Sequence, residues 1–315
     1  MRTAMGAATV PGHVAGASPG ASGPSAGEAV RVPAGSWRAL MGEHERRADA
    51  MTAAHRGRRE RGERHPIEDF LYEYYATRPG QLRRWHPGAG TVLEPDGGVM
   101  PHAAWRWYRQ AHDAAVALDL DAYLADRAGA VRFVRDLLRA TAGRPAFTGC
   151  FGLHEWAMVY RAGERRHALP LRLGAAGTDA VVEASTIRCS HFDAFRFFTP
   201  EAAPRNRLQP TRESQLELDQ PGCLHAGMDC HKYAVKLGPL VPGDLALDCF
   251  AFAFRARALD MQASPYDCSG LGLEPVAVET PEGRREYAAR QAELTEAAQE
   301  LRARLVAVCD AALGA

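Results

Sequence analysis

The sequence predicts a mainly α-helical protein, a single folded domain behind a disordered N-terminal tail. Three observations carry this. Ile67, Phe70, Leu71, Tyr74 and Tyr75 recur at i, i+3, i+4, i+7 and i+8, the spacing of one helix face. Val131, Val134, Leu137 and Leu138 repeat it. Thr280-Pro281-Glu282 has the form of a helix start: a capping hydroxyl, a ring with its φ already set, and a carboxylate at the positive end of the dipole.

Residues 1–34 are mostly Gly, Ala, Ser and Pro with scattered Val; with no period and no aromatics they cannot offset the entropy of ordering. They are expected to be the tail, and 35–315 the domain. Ser36 can cap a helix from Trp37 to about Arg64. Its second half, His55 to Arg64, is charged or small, and Glu60 and Glu63 break up the positive run. A solvated face is therefore expected over a phosphate-binding arm. Pro66 opens the next helix, which stops near Arg78-Pro79-Gly80. Residues 81–88 read as a helical turn entering a loop, and 87–101, rich in Gly and Pro, as irregular. Helices are expected over about 101–118 and 121–141, with a short one in Phe151–Arg161. Alternation at Leu171 and Leu173, then at Ile187 and Cys189, makes 170–198 the expected place for a small β-hairpin. Residues 199–222 carry four prolines and form a long connection. Helices follow over Leu224–Leu237, Gly243–Met261 and 281 to about Leu313.

Composition bounds the function. Hydrophobic residues make up 46% and charged residues 24%, as in ordinary globular proteins. Net charge is zero, which argues against a constitutive nucleic-acid coat and leaves room for a local basic face. Only Lys232 and Lys236 are lysines; the other basic side chains are arginine, a codon bias expected of a GC-rich genome. The seven cysteines are odd in number and lack a CxxC pair, so reduced thiols in a cytoplasmic protein are expected. There is no signal-peptide core and no run of eighteen apolar residues, so no membrane span is expected. No obligate protein partner is implied.

Residues able to do chemistry concentrate in four stretches, at 65–69, 154–156, 189–193 and 223–231. Aromatics surround most of them, and charges set among aromatics tend to be paired or functional, because burying them alone is costly. On a helix, His225 and Asp229 share a face at i and i+4, with Lys232 and Tyr233 one turn on. That pair can share a metal ion or form a buried hydrogen bond that orders the core. Cys223, His225, Cys230 and His231 could be drawn as a zinc site, but Cys230 and His231 would point to different faces of a helix. Glu155, beside Trp156, could act as a general acid or base, or merely cap a short helix. His191 and Asp193 lie two apart, on one side if extended. No GxSxG, phosphate loop or dinucleotide fingerprint is present. Arg83, Arg84, Trp85 and His86 combine cations with a stacking surface, suited to a phosphate and base or to salt bridges beside a core tryptophan.

Several strings resemble a bacterial family, common in actinobacteria, that is labelled 3-methyladenine DNA glycosylase. They are His65-Pro66 to Asp69-Phe70, Tyr74-Tyr75, Arg78-Pro79, Gln81-Leu82-Arg83 and Trp85 to Gly88, then Phe151 to Arg161 and His191 to Phe198. Gln220 to Asp229 and Leu259-Asp260-Met261 to Asp267 complete the match, which spans about 65–270. No helix–hairpin–helix with a following catalytic Asp is present. The resemblance implies a hydrolase that removes alkylated purines from damaged DNA, repairing it by base excision without a cofactor. Such an enzyme flips the base out and stabilises an oxocarbenium-like sugar with a carboxylate that also activates water. The catalytic candidates are Asp229, Asp193 and Glu155, in that order, with His225 and His191. Trp85, Trp156 and Tyr233 would stack on the base; Arg83, Arg84 and Lys232 would hold phosphate, with His86 beside them. The rival expectation is a metal-dependent enzyme like a helical non-heme iron oxygenase, binding iron or zinc through His154, His191, His225 and Asp229. It requires those four side chains to converge. A third is a non-catalytic binding protein, in which they would not.

Overall fold

The computed structural model describes residues 29–163 and 167–314. The protein is mainly α, with eleven α-helices and one small mixed sheet among the described residues. The helices are α1 (Ala34–Glu60), α2 (Asp69–Glu73), α3 (Pro79–Leu82), α4 (Leu120–Ala142), α5 (Leu153–Ala157) and α6 (Gly174–Ala184). After them come α7 (Phe192–Phe195), α8 (Gln215–Leu218), α9 (Leu224–Leu237), α10 (Gly243–Gln262) and α11 (Pro281–Leu313).

α9 is the central element, packed mainly against α10 and also against α11, which in turn lies along α4. Leu224, Ala226, Met228, Cys230, Tyr233, Ala234 and Leu237 of α9 are all buried, so the helix has almost no wet face. Its polar residues His225, Asp229 and His231 are buried with them and must find partners inside the protein. α4 buries Tyr123, Val131, Val134, Leu137 and Leu138, the stripe read from the sequence. Asp119 caps it, accepting from the Ala122 N–H at 3.1 Å. Thr280 caps α11 as expected, accepting from the Gly283 N–H.

The sheet lies elsewhere than expected. Its strands are β1 (Val30–Val32), β2 (Thr91–Leu93), β3 (Tyr108–Gln110) and β4 (Val116–Leu118), in the order β1-β2-β4-β3. β1 runs parallel to β2, with Arg31 opposite Val92; β4 is antiparallel to β2 and β3. A satellite core of Trp37, Trp85, Leu93, Met100 and Val116 seats it against α1.

Several expectations are corrected. The expected tail includes Val30–Val32, which gains strand hydrogen bonds from a partner sixty residues away; residues 1–28 lie outside the described residues. The expected helix over 101–118 is a short 3-10 turn at Pro101–Ala104 followed by the β3–β4 hairpin, and β2 falls in the stretch read as irregular. Residues 170–198 hold α6 and α7 instead of a hairpin; isolated bridges pair Leu171 with Tyr266 and Ile187 with Asn206. α1 starts directly after Pro33, which leaves Ser36 inside its first turn. All seven cysteines are free thiols. No helix among the described residues is long and apolar enough to cross a membrane.

Candidate metal centre

Four helices bring the chemistry-bearing residues together. α5 supplies His154 and Glu155, α9 supplies His225, Asp229 and Lys232, the start of α7 supplies His191 and Asp193, and α10 adds Arg257 and Asp260. α5 is aimed by two consecutive residues in the left-handed region, Phe151 (φ 46°) and Gly152 (φ 68°). Such a conformation is strained for a phenylalanine, and strain of this kind gathers at functional sites.

At the centre, one potential ligand atom from each of His154, His225 and Asp260 lies within 4.8 Å of the other two. His154 Nε2 donates to Asp260 Oδ1 at 2.7 Å, close to the ~3 Å between neighbouring donors at ~2.1 Å from a metal. The His154 and His225 rings meet edge to face at 4.5 Å, and the His191 ring stacks near His225 at 5.5 Å. His225 Nδ1 is buried and has no hydrogen-bond partner among the described residues. Burial, with the neighbouring His154, pushes the His225 imidazole well below its usual range, so it stays neutral and keeps a lone pair for a cation.

Arg257 orients the carboxylates. Its Nη1 donates to Glu155 Oε1 and Asp260 Oδ2, each at 2.7 Å, and its guanidinium lies 4.3 Å from the Phe70 ring centre. Burial would raise the Asp260 carboxyl, but His154 and Arg257 outweigh it and hold the group far below the usual carboxylate range. His154 moves the opposite way: burial lowers it, and the charge and hydrogen bond of Asp260 raise it above the ordinary histidine value.

A second polar chain adjoins this one. His191 caps α7 by accepting the Ala194 N–H at Nδ1, which leaves Nε2 to donate to Asp229 Oδ2 at 3.3 Å. Lys232 Nζ bridges Asp229 at 3.0 Å and Asp193 at 2.8 Å, and Arg196 holds the far side of Asp193. Burial favours the neutral form of Asp229, yet Lys232 and His191 keep it ionised; Asp229 Oδ1 has no partner among the described residues. Asp219, also buried, is pushed up to about 6.

No family model, curated protein or solved structure matches this chain.

The candidates from the sequence therefore divide. His154, Glu155, His191, Asp193, His225, Asp229 and Lys232 do come together. The set of four expected to hold a metal is corrected: His154 and His225 share their cluster with Asp260, while His191 and Asp229 pair with each other beside it. The Cys223, His225, Cys230, His231 zinc set does not form, because His231 turns away to Thr77 at 2.8 Å and Cys230 packs in the core. Trp85, Trp156 and Tyr233, expected to stack on a base, are buried core side chains, and Trp156 Nε1 donates to the Ala263 carbonyl. Arg83 is taken up by Glu45 and Asp49. Arg84 and His86 lie apart from the centre, His86 bonded to Tyr108. Asp260 and Arg257 were missed as site residues. The available signal was the charge pair Arg257 and Asp260, at i and i+3 on the helix that carries the apolar run Phe250-Ala251-Phe252-Ala253-Phe254.

Proposed function

We propose that the chain is a metal-dependent enzyme of the non-heme iron type, with a divalent cation held by His154, His225 and Asp260. The convergence of these three donors from α5, α9 and α10 carries the reading. Two imidazoles and one carboxylate form the ligand set of non-heme iron(II) centres, which leave coordination positions open for substrate and oxygen. A bound cation there supplies Lewis-acid and redox chemistry.

The chain's own residues have separable tasks. Arg257 fixes the Asp260 carboxylate and leaves its other oxygen toward His154. Second contacts of this kind set ligand orientation and affinity. The Asp229–Lys232–Asp193 chain holds an ionised carboxylate against the His191 ring, which in turn stacks near His225, placed to orient a substrate. The surrounding helices exclude bulk water and strengthen each of these interactions.

Metal analysis of anaerobically purified protein, with a Co(II) titration followed by visible absorption, tests the proposal. One equivalent should bind, and His225→Ala should weaken binding at least ~10-fold, the cost of ~1.4 kcal/mol in lost coordination. Absence of stoichiometric binding, or equal binding by the variant, overturns it.

The glycosylase family resemblance supports a second reading, hydrolysis of an N-glycosidic bond in damaged DNA. The observation in its favour is Asp229, a buried carboxylate kept ionised within electrostatic reach of Tyr75 and Tyr233. Release of alkylated base from duplex DNA, lost in Asp229→Asn and independent of metal, would favour it over the metalloenzyme.

A further inference from the structure

A groove on another part of the surface gathers positive charge, most of it without a carboxylate partner among the described residues. Its cavity of about 280 Å³ lies between α3, the Trp105–Trp107 segment and the end of α9. Arg78, Arg84, Arg106, Arg127 and Lys236 line it, and no Asp or Glu does. Of these five, only Arg106 has a carboxylate partner among the described residues, Asp126 at 2.8 Å. Arg127 donates to the Lys236 carbonyl, while its Nε is buried with no partner among the described residues. Converging like charges repel, so the free protein holds an unfavourable arrangement that an anion would relieve. The pKa of Lys236 is lowered first by burial, then by Lys232 outside the groove and by Arg127 within it.

Two indoles complete the groove. The Arg84 guanidinium lies 5.6 Å from the Trp105 ring centre, and that of Arg106 lies 4.3 Å from Trp107. Trp107 is held at φ 65°, a left-handed conformation that is strained for a bulky side chain. Strain at a cavity wall is expected where placement of the ring matters. Arginines converging beside tryptophans form a surface for a phosphate joined to a planar ring.

We propose that this groove binds a nucleotide, its phosphates on Arg78, Arg84, Arg127 and Lys236 and its base against Trp105 and Trp107. The cavity is of a size for a small ligand. Lys236 lies eleven residues beyond His225 on α9, about 16 Å along the helix. The nucleotide site is therefore separate from the metal centre, and its existence does not depend on that proposal.

Calorimetric titration of the full chain with ADP, inorganic pyrophosphate and a short single-stranded thymidine oligonucleotide tests the inference. ADP should bind, and Arg84→Glu and Lys236→Glu should each weaken it by about 10-fold or more, equivalent to ~1.4 kcal/mol. Trp105→Leu should weaken ADP but leave pyrophosphate unchanged. Arg59→Glu, an equal charge change outside the groove, should have no effect. Circular dichroism checks folding, and Lys236→Gln replaces the glutamate variant if that one unfolds. An oligonucleotide that binds more tightly than ADP, with the same dependence on Arg84 and Trp105, supports the nucleotide chemistry and names a polymer as its source. Pyrophosphate binding as tightly as ADP overturns the inference, as does ADP binding that the groove variants leave intact. Failure of both ADP and the oligonucleotide to bind overturns it as well.

Discussion

Replacing Arg257 with Met isolates the charge that holds the candidate centre together. Arg257 is 2% exposed, and one of its nitrogens serves both Glu155 and Asp260. Two bonds of 2.7 Å to the same atom keep the two carboxylate oxygens within about 5.4 Å, twice the bond length. Without the guanidinium, two negative charges at that separation repel by ~3 kcal/mol at an effective dielectric of ~20. Removing one partner of a buried ion pair costs ~3–5 kcal/mol by experience with other proteins, in agreement. For a chain of this size each kcal/mol moves the melting temperature by ~2–4 °C, so a drop of about 10 °C is expected. The loss should depend on pH. In Arg257→Met the unscreened neighbouring charge favours the protonated form of one carboxyl, which raises a folded-state pKa above the unfolded value. A raised acid contributes stability below its unfolded pKa and loses it as pH rises through the folded one. The variant should therefore lie closer to the wild type at pH 5 than at pH 8. Thermal denaturation followed by circular dichroism at both pH values measures this. A loss below ~1 kcal/mol, or one equal at the two pH values, refutes the electrostatic account.

Three further outcomes are expected. Burial holds the His86 and His231 imidazoles near 3, so both stay neutral in the fold while the unfolded chain takes up protons near pH 6.5. Their stabilisation is complete above pH 6.5 and is lost as pH falls toward 3, about 2 kcal/mol each by pH 5; urea unfolding at pH 7.5 and 5 should show it, and His231→Gln should flatten the dependence. In Gly227→Ala, the new methyl would meet Phe252 ring atoms at 2.9 Å and the Ala298 methyl at 3.3 Å, where α9 approaches α10 and α11. A cost of ~1–3 kcal/mol is expected in urea unfolding, relieved by adding Phe252→Leu; an unchanged midpoint would mean that the contact is loose. Arg302 is fully buried, and its Nε and Nη2 have no partner among the described residues. Arg302→Met should be neutral or stabilising by up to ~3 kcal/mol, and a destabilisation beyond ~1 kcal/mol would show that the guanidinium is needed.

The sequence by itself determined the long helices. α4, α9, α10 and α11 follow from apolar spacing and from the Thr280-Pro281 start, because helical hydrogen bonds are local and a buried face leaves its period in the chain. It also marked the polar stretches of the site, since charge among aromatics is visible without coordinates. Tertiary structure alone decided the rest. Three-residue strands such as Thr91–Leu93 and Val116–Leu118 are too short to show a period, and Val30–Val32 exists only through its distant partner. The same holds at the centre. Asp260 is 106 residues from His154, and its role comes from the crossing of α10 with α5 and α9, not from any local pattern. The basic groove has the same origin: Arg78, Arg127 and Lys236 share a wall only after packing, and neutral overall composition hides it because total charge is a sum and a field is local.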